Sequence, residues 1–168
     1  MALNPAVFID KDGTLIHDVP YNVDPQYVRL REDAGEALAR LQHNGYRLIL
    51  VSNQSGIALG LFDPEALDAV WARIAVALSD YGVVLDAIYH CPHHPEATVE
   101  AYRHPDPPLR KPNPGMLLQA IAEWPVDVAR SLMVGDKEAD MEAARRAGVR
   151  GLKFSGGDLW EFLKDEIR

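Results

Sequence analysis

Three polar clusters in the sequence each follow a short apolar run: Asp10-Lys11-Asp12-Gly13-Thr14, Ser52-Asn53-Gln54-Ser55-Gly56, and Gly135-Asp136-Lys137 continuing to Asp140. A single residue separates Asp10 from Asp12, and in an extended segment that spacing sends both carboxylates to one side. Two like charges so close need a cation or a shared proton, and hard oxygen donors of this kind suit magnesium. Asp136, in the equivalent position after its own apolar run, is the natural third oxygen donor. A metal held this way bridges to a phosphate, offsets its charge and leaves one aspartate free to attack phosphorus. Any one cluster alone reads as turn punctuation, since Asp, Asn, Ser and Gly favour turns for local reasons. The coincidence of three carries the chemical reading.

The surrounding pattern must bring these clusters together. Apolar runs at Ala6–Ile9, Arg47–Ser52, Val84–Tyr89, Leu132–Val134 and Val149–Phe154 read as strands. Between the first two, Ala37, Leu38 and Leu41 share a helical face that should stop near Asn44-Gly45, a sequence suited to a left-handed cap. Pro64, preceded by Asp63 as a cap, starts a helix in which Leu67, Val70, Trp71, Ile74, Leu78 and Tyr81 recur at steps of three and four. Further helices are expected over Met116–Trp124, over Lys137–Ala147 up to Gly148, and over Asp158–Ile167 with Asp158 as cap. The stretch His90–Pro114 carries Pro92, Pro95, Pro105, Pro107, Pro108 and Pro112, which preclude a regular helix or a central strand. A long irregular segment inside a compact domain is usually functional. Strand–helix alternation implies an α/β fold, a parallel sheet with helices on both faces. Such sheets bind ligands beyond the carboxyl ends of their strands, where all three clusters fall.

Composition narrows the function. The chain has 168 residues, 48% hydrophobic and 25% charged, which suits a single domain over 1–168 with a core that needs no staple. Its formal charge of −8 lacks the basic excess expected of a nucleic-acid or anionic-membrane partner. The apolar runs are strand-sized and the first residues carry no export signal, so a cytoplasmic location is expected. Cys91 is the one cysteine, which rules out an internal disulfide.

Asp10-Lys11-Asp12-Gly13-Thr14, Ser52-Asn53, Lys111-Pro112 and Gly135-Asp136 with Asp140 resemble the four ordered motifs of the haloacid dehalogenase superfamily of phosphohydrolases. Longer segments, including Cys91-Pro92-His93-His94-Pro95 and Arg110-Lys111-Pro112-Asn113-Pro114-Gly115-Met116, resemble the group within it that acts on heptose bisphosphate and histidinol phosphate. The resemblance implies a Rossmann-like sheet with a minimal, loop-only cap; a small phosphorylated substrate and a monomer are expected. Asp10 would be the nucleophile that forms an aspartyl-phosphate, and Asp12 the acid and later the base. Magnesium would be bound by the Asp10 carboxylate, the Asp12 carbonyl and Asp136, with Asp140 orienting Lys111 or a metal-bound water. Ser52 and Lys111 would hold the phosphoryl oxygens. Substrate contacts would come from Arg110, whose guanidinium forks onto a second phosphate, from Asn53, Gln54 and Ser55, and from Thr14, Tyr21, Asn22 and Lys137. Thr14 and Asp136 are also well placed to cap helices.

The sequence departs from the family at one place. Many relatives bind a structural zinc with three cysteines and one histidine in the segment before Arg110, whereas here Cys91 and His93 stand without further cysteines. His104 and Asp106 have ligand chemistry that would complete a four-donor zinc site. Prolines order a loop without metal, so the segment is read as zinc-free, with His90 and His94 as structural residues.

Overall fold

The computed structural model describes residues 2–167. A five-stranded sheet, all parallel, is built from β1 (Ala6–Ile9), β2 (Arg47–Asn53), β3 (Ala87–Cys91), β4 (Leu132–Gly135) and β5 (Arg150–Lys153) in the order β3-β2-β1-β4-β5. Its helices are α1 (Ala34–His43), α2 (Ser55–Ala58), α3 (Leu67–Ser79), α4 (Gly115–Glu123), α5 (Glu138–Ala147) and α6 (Leu159–Leu163).

Successive strand residues face opposite sides of a sheet, and that alternation divides the core in two. Val7, Ile9, Leu48, Leu50, Leu132 and Val134 pack with the apolar faces of α1, α3 and α6. Ala6, Phe8, Ile49, Val51 and Met133 pack with Met116, Leu117 and Ala120 of α4 and Ala143 and Ala144 of α5. Strands buried on both faces must be apolar throughout, which is why β1 and β4 read as unbroken apolar runs. Phe8 is fully buried, and truncating such a side chain costs about 3–5 kcal/mol.

Most element boundaries fall within two residues of the sequence expectation. Gly45, at φ +82°, makes the left-handed turn that ends α1, and the Asp158 side chain caps α6 by accepting from the Glu161 amide at 2.9 Å. Three expectations need correction. The third strand starts three residues later than its apolar run: Val84 is 74% exposed, and the Asp86 carboxylate, accepting from the Leu48 amide, stands where the ladder begins. Pro64 opens a 3₁₀ turn (Pro64–Ala66) that leads into α3; Asp63 makes no side-chain cap there, and Tyr81 lies past the helix end, against Gly35. The last helix stops at Leu163, short of Ile167.

Strand order reverses at β1. From it the chain moves outward through β2 and β3 on one side, and later through β4 and β5 on the other. A crevice must open at the carboxyl ends of β1 and β4, where connections leave in opposite directions. Asp10 ends β1, its amide donating to the Val134 carbonyl at 3.0 Å, and Asp136 follows β4 directly. Among the described residues no helix is long and apolar enough to cross a membrane.

Candidate active site

Lys111 organises the crevice. It is 4% exposed, and its ammonium donates to Asp10 Oδ1 at 2.8 Å, to Asp140 Oδ1 at 2.6 Å and to the Val51 carbonyl at 3.0 Å, a complete shell for three protons. Burial works to depress the ammonium's pKa, but the Asp10 and Asp140 charges outweigh it and hold the value above that of an ordinary lysine. Asn53 fixes the main chain at this point. Its Oδ1 accepts from the Lys111 amide and its Nδ2 donates to the Lys111 carbonyl, both at 3.0 Å. Both ends of the Asn53 amide thus help to place Lys111, and the residue also lines the cleft.

Asp10 is nearly buried, and burial pushes its carboxyl pKa up to about 7; Lys111 opposes the shift, while Asp140 and Asp136 reinforce it. The carboxylates of Asp10, Asp136 and Asp140 lie close enough together to share a cation. Their oxygens are not equally free. Asp140 spends Oδ1 on Lys111 and Oδ2 on the Lys137 amide at 3.0 Å, which fixes the start of α5. Asp10 keeps Oδ2, and Asp136 Oδ1 is buried with no hydrogen-bond partner among the described residues. A buried carboxylate oxygen left unpaired is costly, and a hard divalent cation between Asp10 and Asp136 satisfies it. The donor set therefore fits magnesium, with Asp140 serving Lys111. Nor does Asp136 cap α5, a position that belongs to Lys137.

Glycine makes this approach possible. Gly13, at φ +80°, lies so close that a Cβ there would stand 2.4 Å from Asp136 Oδ2, and a Cβ on Gly135 would stand 2.3 Å from the Asp140 carboxyl. No larger residue fits either position with the carboxylates where they are.

Asp12 is half-buried and faces a cleft of about 560 Å³. Burial raises its carboxyl pKa, opposed by Lys11, whose buried ammonium lies 3.4 Å from Asp12 Oδ2 and 5.2 Å from the Trp71 ring centroid. Around the cleft the cations Lys11, Arg110, Lys111 and Lys137 face two carboxylates, Asp12 and Asp18. Lys111 is already paired with Asp10 and Asp140, so the cations left to meet a phosphate ester are Lys11, Arg110 and Lys137, with a metal ion at Asp10 and Asp136 supplying further positive charge when bound. On one wall Arg110 Nη1 donates to Ser55 Oγ at 2.6 Å.

Other expected residues are placed as follows. Tyr21, Asn22, Gln54, Ser55 and Lys137 line the cleft, although the Asn22 side chain also closes its own turn onto Asp24. Ser52 is buried outside the lining, where its Oγ accepts from Gln54 Nε2 at 2.6 Å and keeps a proton to donate. Thr14 is wholly buried, caps no helix and does not line the cleft. The four candidate zinc ligands do not converge. Cys91 Sγ is buried against the His93 carbonyl, His93 meets the Tyr102 ring edge-on, His104 Nδ1 accepts from the Asp106 amide, and Asp106 Oδ1 accepts from Asn113. The possible four-ligand site is corrected accordingly, because each side chain answers a nearer partner. His94, read from sequence as structural, lines the cleft, as do Lys11 and Asp18. Lys11 had a signal available, since a buried cation between two carboxylates is their nearest counter-charge.

The family model of the haloacid dehalogenase-like hydrolases matches residues 21–148, and two curated relatives cover the chain more fully. The D-glycero-β-D-manno-heptose-1,7-bisphosphate 7-phosphatase of Rhodopseudomonas palustris is 37% identical over 97% of this chain and 90% of its own. The chain belongs to the haloacid dehalogenase-like hydrolases. The enzyme of the same description from Photorhabdus laumondii is 46% identical over 86% of this chain and 77% of its own. Among solved structures, D,D-heptose 1,7-bisphosphate phosphatase of B. bronchiseptica, complexed with magnesium and phosphate, superimposes with a TM-score of 0.78 at 33% identity over 96% of this chain and 86% of that one. As a member of this hydrolase family the protein is a phosphoric monoester hydrolase.

Proposed function

We propose that this haloacid dehalogenase-like hydrolase removes the 7-phosphate of D-glycero-β-D-manno-heptose 1,7-bisphosphate, with magnesium, through a phosphoryl group carried on Asp10. The observation that carries the reading is the pairing of two cationic stations in one cleft: Lys111 bonded to Asp10 at the reacting end, and Arg110 held to Ser55 on the wall. A bisphosphate has one anionic group for each. Histidinol phosphate would bring an ammonium group towards Arg110, a like-charge encounter that costs affinity. The relatives' substrate supports the same choice.

In the first step the free Asp10 carboxylate oxygen attacks phosphorus, the bond from phosphorus to the sugar oxygen breaks, and Asp12 gives its proton to that oxygen. Burial raises the Asp12 carboxyl pKa, the direction that suits a proton donor. In the second, Asp12 takes a proton from water, which attacks phosphorus, and the Asp10 carboxylate leaves. Lys111 stays charged throughout and offsets the charge on the phosphoryl oxygens. When bound to Asp10, Asp136 and the Asp12 carbonyl, magnesium supplies further positive charge at those oxygens. We take the residues 1–168 to act as one cytoplasmic, monomeric catalytic unit.

The test is phosphate release with magnesium from both anomers of the heptose bisphosphate and from histidinol phosphate, comparing kcat/KM and identifying the phosphate lost. Preference for the β-anomer, cleaved at position 7, is expected. Preference for histidinol phosphate overturns the reading.

A further inference from the structure

His94 stands in the proline-rich segment, and all but one of its polar atoms are already engaged. Its amide donates to the Tyr102 carbonyl at 3.0 Å, and its own carbonyl accepts from the Ala97 and His104 amides at 3.3 and 3.4 Å. On the ring, Nδ1 accepts from the Glu96 amide at 3.0 Å. An amide hydrogen aimed at Nδ1 requires a lone pair there, so the ring proton sits on Nε2. The surrounding loop is braced as well: Arg103 donates twice to the Ala97 carbonyl, from Nε at 3.0 Å and from Nη2 at 2.7 Å. The result is an imidazole held from both its main chain and its ring, with Nε2–H as its one free donor among the described contacts, on a residue that lines the same cleft as Arg110 and Ser55.

We infer that His94 is a specificity-determining residue: its Nε2–H donates to the phosphate of the substrate that is not cleaved, alongside the Arg110 guanidinium. The inference rests on the bisphosphate reading above. A neutral donor beside a guanidinium adds direction to a charge contact, which discriminates a phosphate from a hydroxyl in the same place. Fixing the ring in advance removes the ordering cost from the binding step. Nothing in the loop's own architecture uses Nε2, so a purely structural histidine here would need only its Nδ1.

Two substitutions separate the atoms. In His94→Asn the side-chain oxygen takes the place of Nδ1 and keeps the Glu96 amide satisfied, but no donor reaches the position of Nε2. In His94→Gln the amide nitrogen reaches that position, and the acceptor at Nδ1 is lost. The quantity read is the ratio of kcat/KM for heptose 1,7-bisphosphate to that for heptose 7-phosphate, substrates that differ only in the second phosphate. We expect H94N to lower this ratio about tenfold, mainly through KM for the bisphosphate, and H94Q to retain most of it. The reverse order, with H94N close to wild type and H94Q impaired, would mean that His94 only holds the loop, and would overturn the inference. A wild-type enzyme with no preference for the bisphosphate would instead overturn the substrate reading on which the inference stands. Independently of any His94 variant, the ¹⁵N resonance of His94 Nε2 in D10N protein should shift when heptose 1,7-bisphosphate is added. An unmoved resonance contradicts the inference.

Discussion

The carboxyl edge of β1 and β4, with Lys111 set against it, and the segment from Pro92 to Arg110 both face the cleft, yet they are held in opposite ways. At the strand ends the fixed groups are charges: Asp10, Lys111 and Asp140 are buried together and bonded across 29 to 101 residues of sequence. In the proline-rich segment side chains turn back on nearby main chain, as His94 does to Glu96, His104 to Asp106 and Arg103 to Ala97. The first region is costly to build and is fixed by the sheet. The second is assembled from local bonds. The difference assigns reaction chemistry to the strand ends and substrate choice to the loop, and substitutions in each should separate along that line.

The largest loss should come from Lys111→Met, which leaves Asp10 and Asp140 facing each other without a counter-ion. We expect kcat to fall on the order of 10²–10³-fold. A reduction that appears in KM alone would place Lys111 with the loop, contrary to the division drawn above. Gly13→Ala should follow: the new methyl collides with Asp136 and the positive φ disfavours alanine, so the magnesium concentration for half-activity should rise roughly tenfold or more, with the sheet intact by circular dichroism.

How far each region can be read from the sequence follows from the same contrast. Asp10, Asp12 and Asp136 stand out because each follows an unbroken apolar strand, and the parallel sheet dictates where such residues go. Lys111 has no strand to announce it; only its likeness to a family motif singled it out, and the bonds from Asn53 that place it are visible in three dimensions alone. The role of His94 depends on which carbonyls and amides come within reach after the loop closes, and no periodicity encodes that. The start of β3 is hidden for a related reason: the apolar Val84 and Leu85 favour a strand, but the ladder with β2 begins at Ala87, beyond the Asp86 carboxylate that accepts from the Leu48 amide.

On the loop side, Arg103→Met frees the buried Ala97 carbonyl and should raise KM for the bisphosphate several-fold, with kcat within about twofold of wild type. Steady-state kinetics would show whether the effect instead falls on kcat. The smallest effect concerns the strand ends without metal. Because burial raises the Asp10 carboxyl above its unfolded value, the folded state binds more protons than the unfolded chain from about pH 4 to about 7. Stability of the metal-free protein should therefore fall as pH rises through that window and level off above it. A few degrees in Tm between pH 5 and pH 8 is the expected size, and saturating magnesium should flatten the slope.

The central claim is that Asp10 carries the phosphoryl group. Heptose bisphosphate labelled with ³²P at position 7, mixed with excess enzyme and magnesium and quenched in acid within milliseconds, should leave label on the peptide that contains Asp10, and D10N protein should acquire none. Rapid turnover with no protein-bound label at any quench time, or label on a peptide lacking Asp10, would contradict the account.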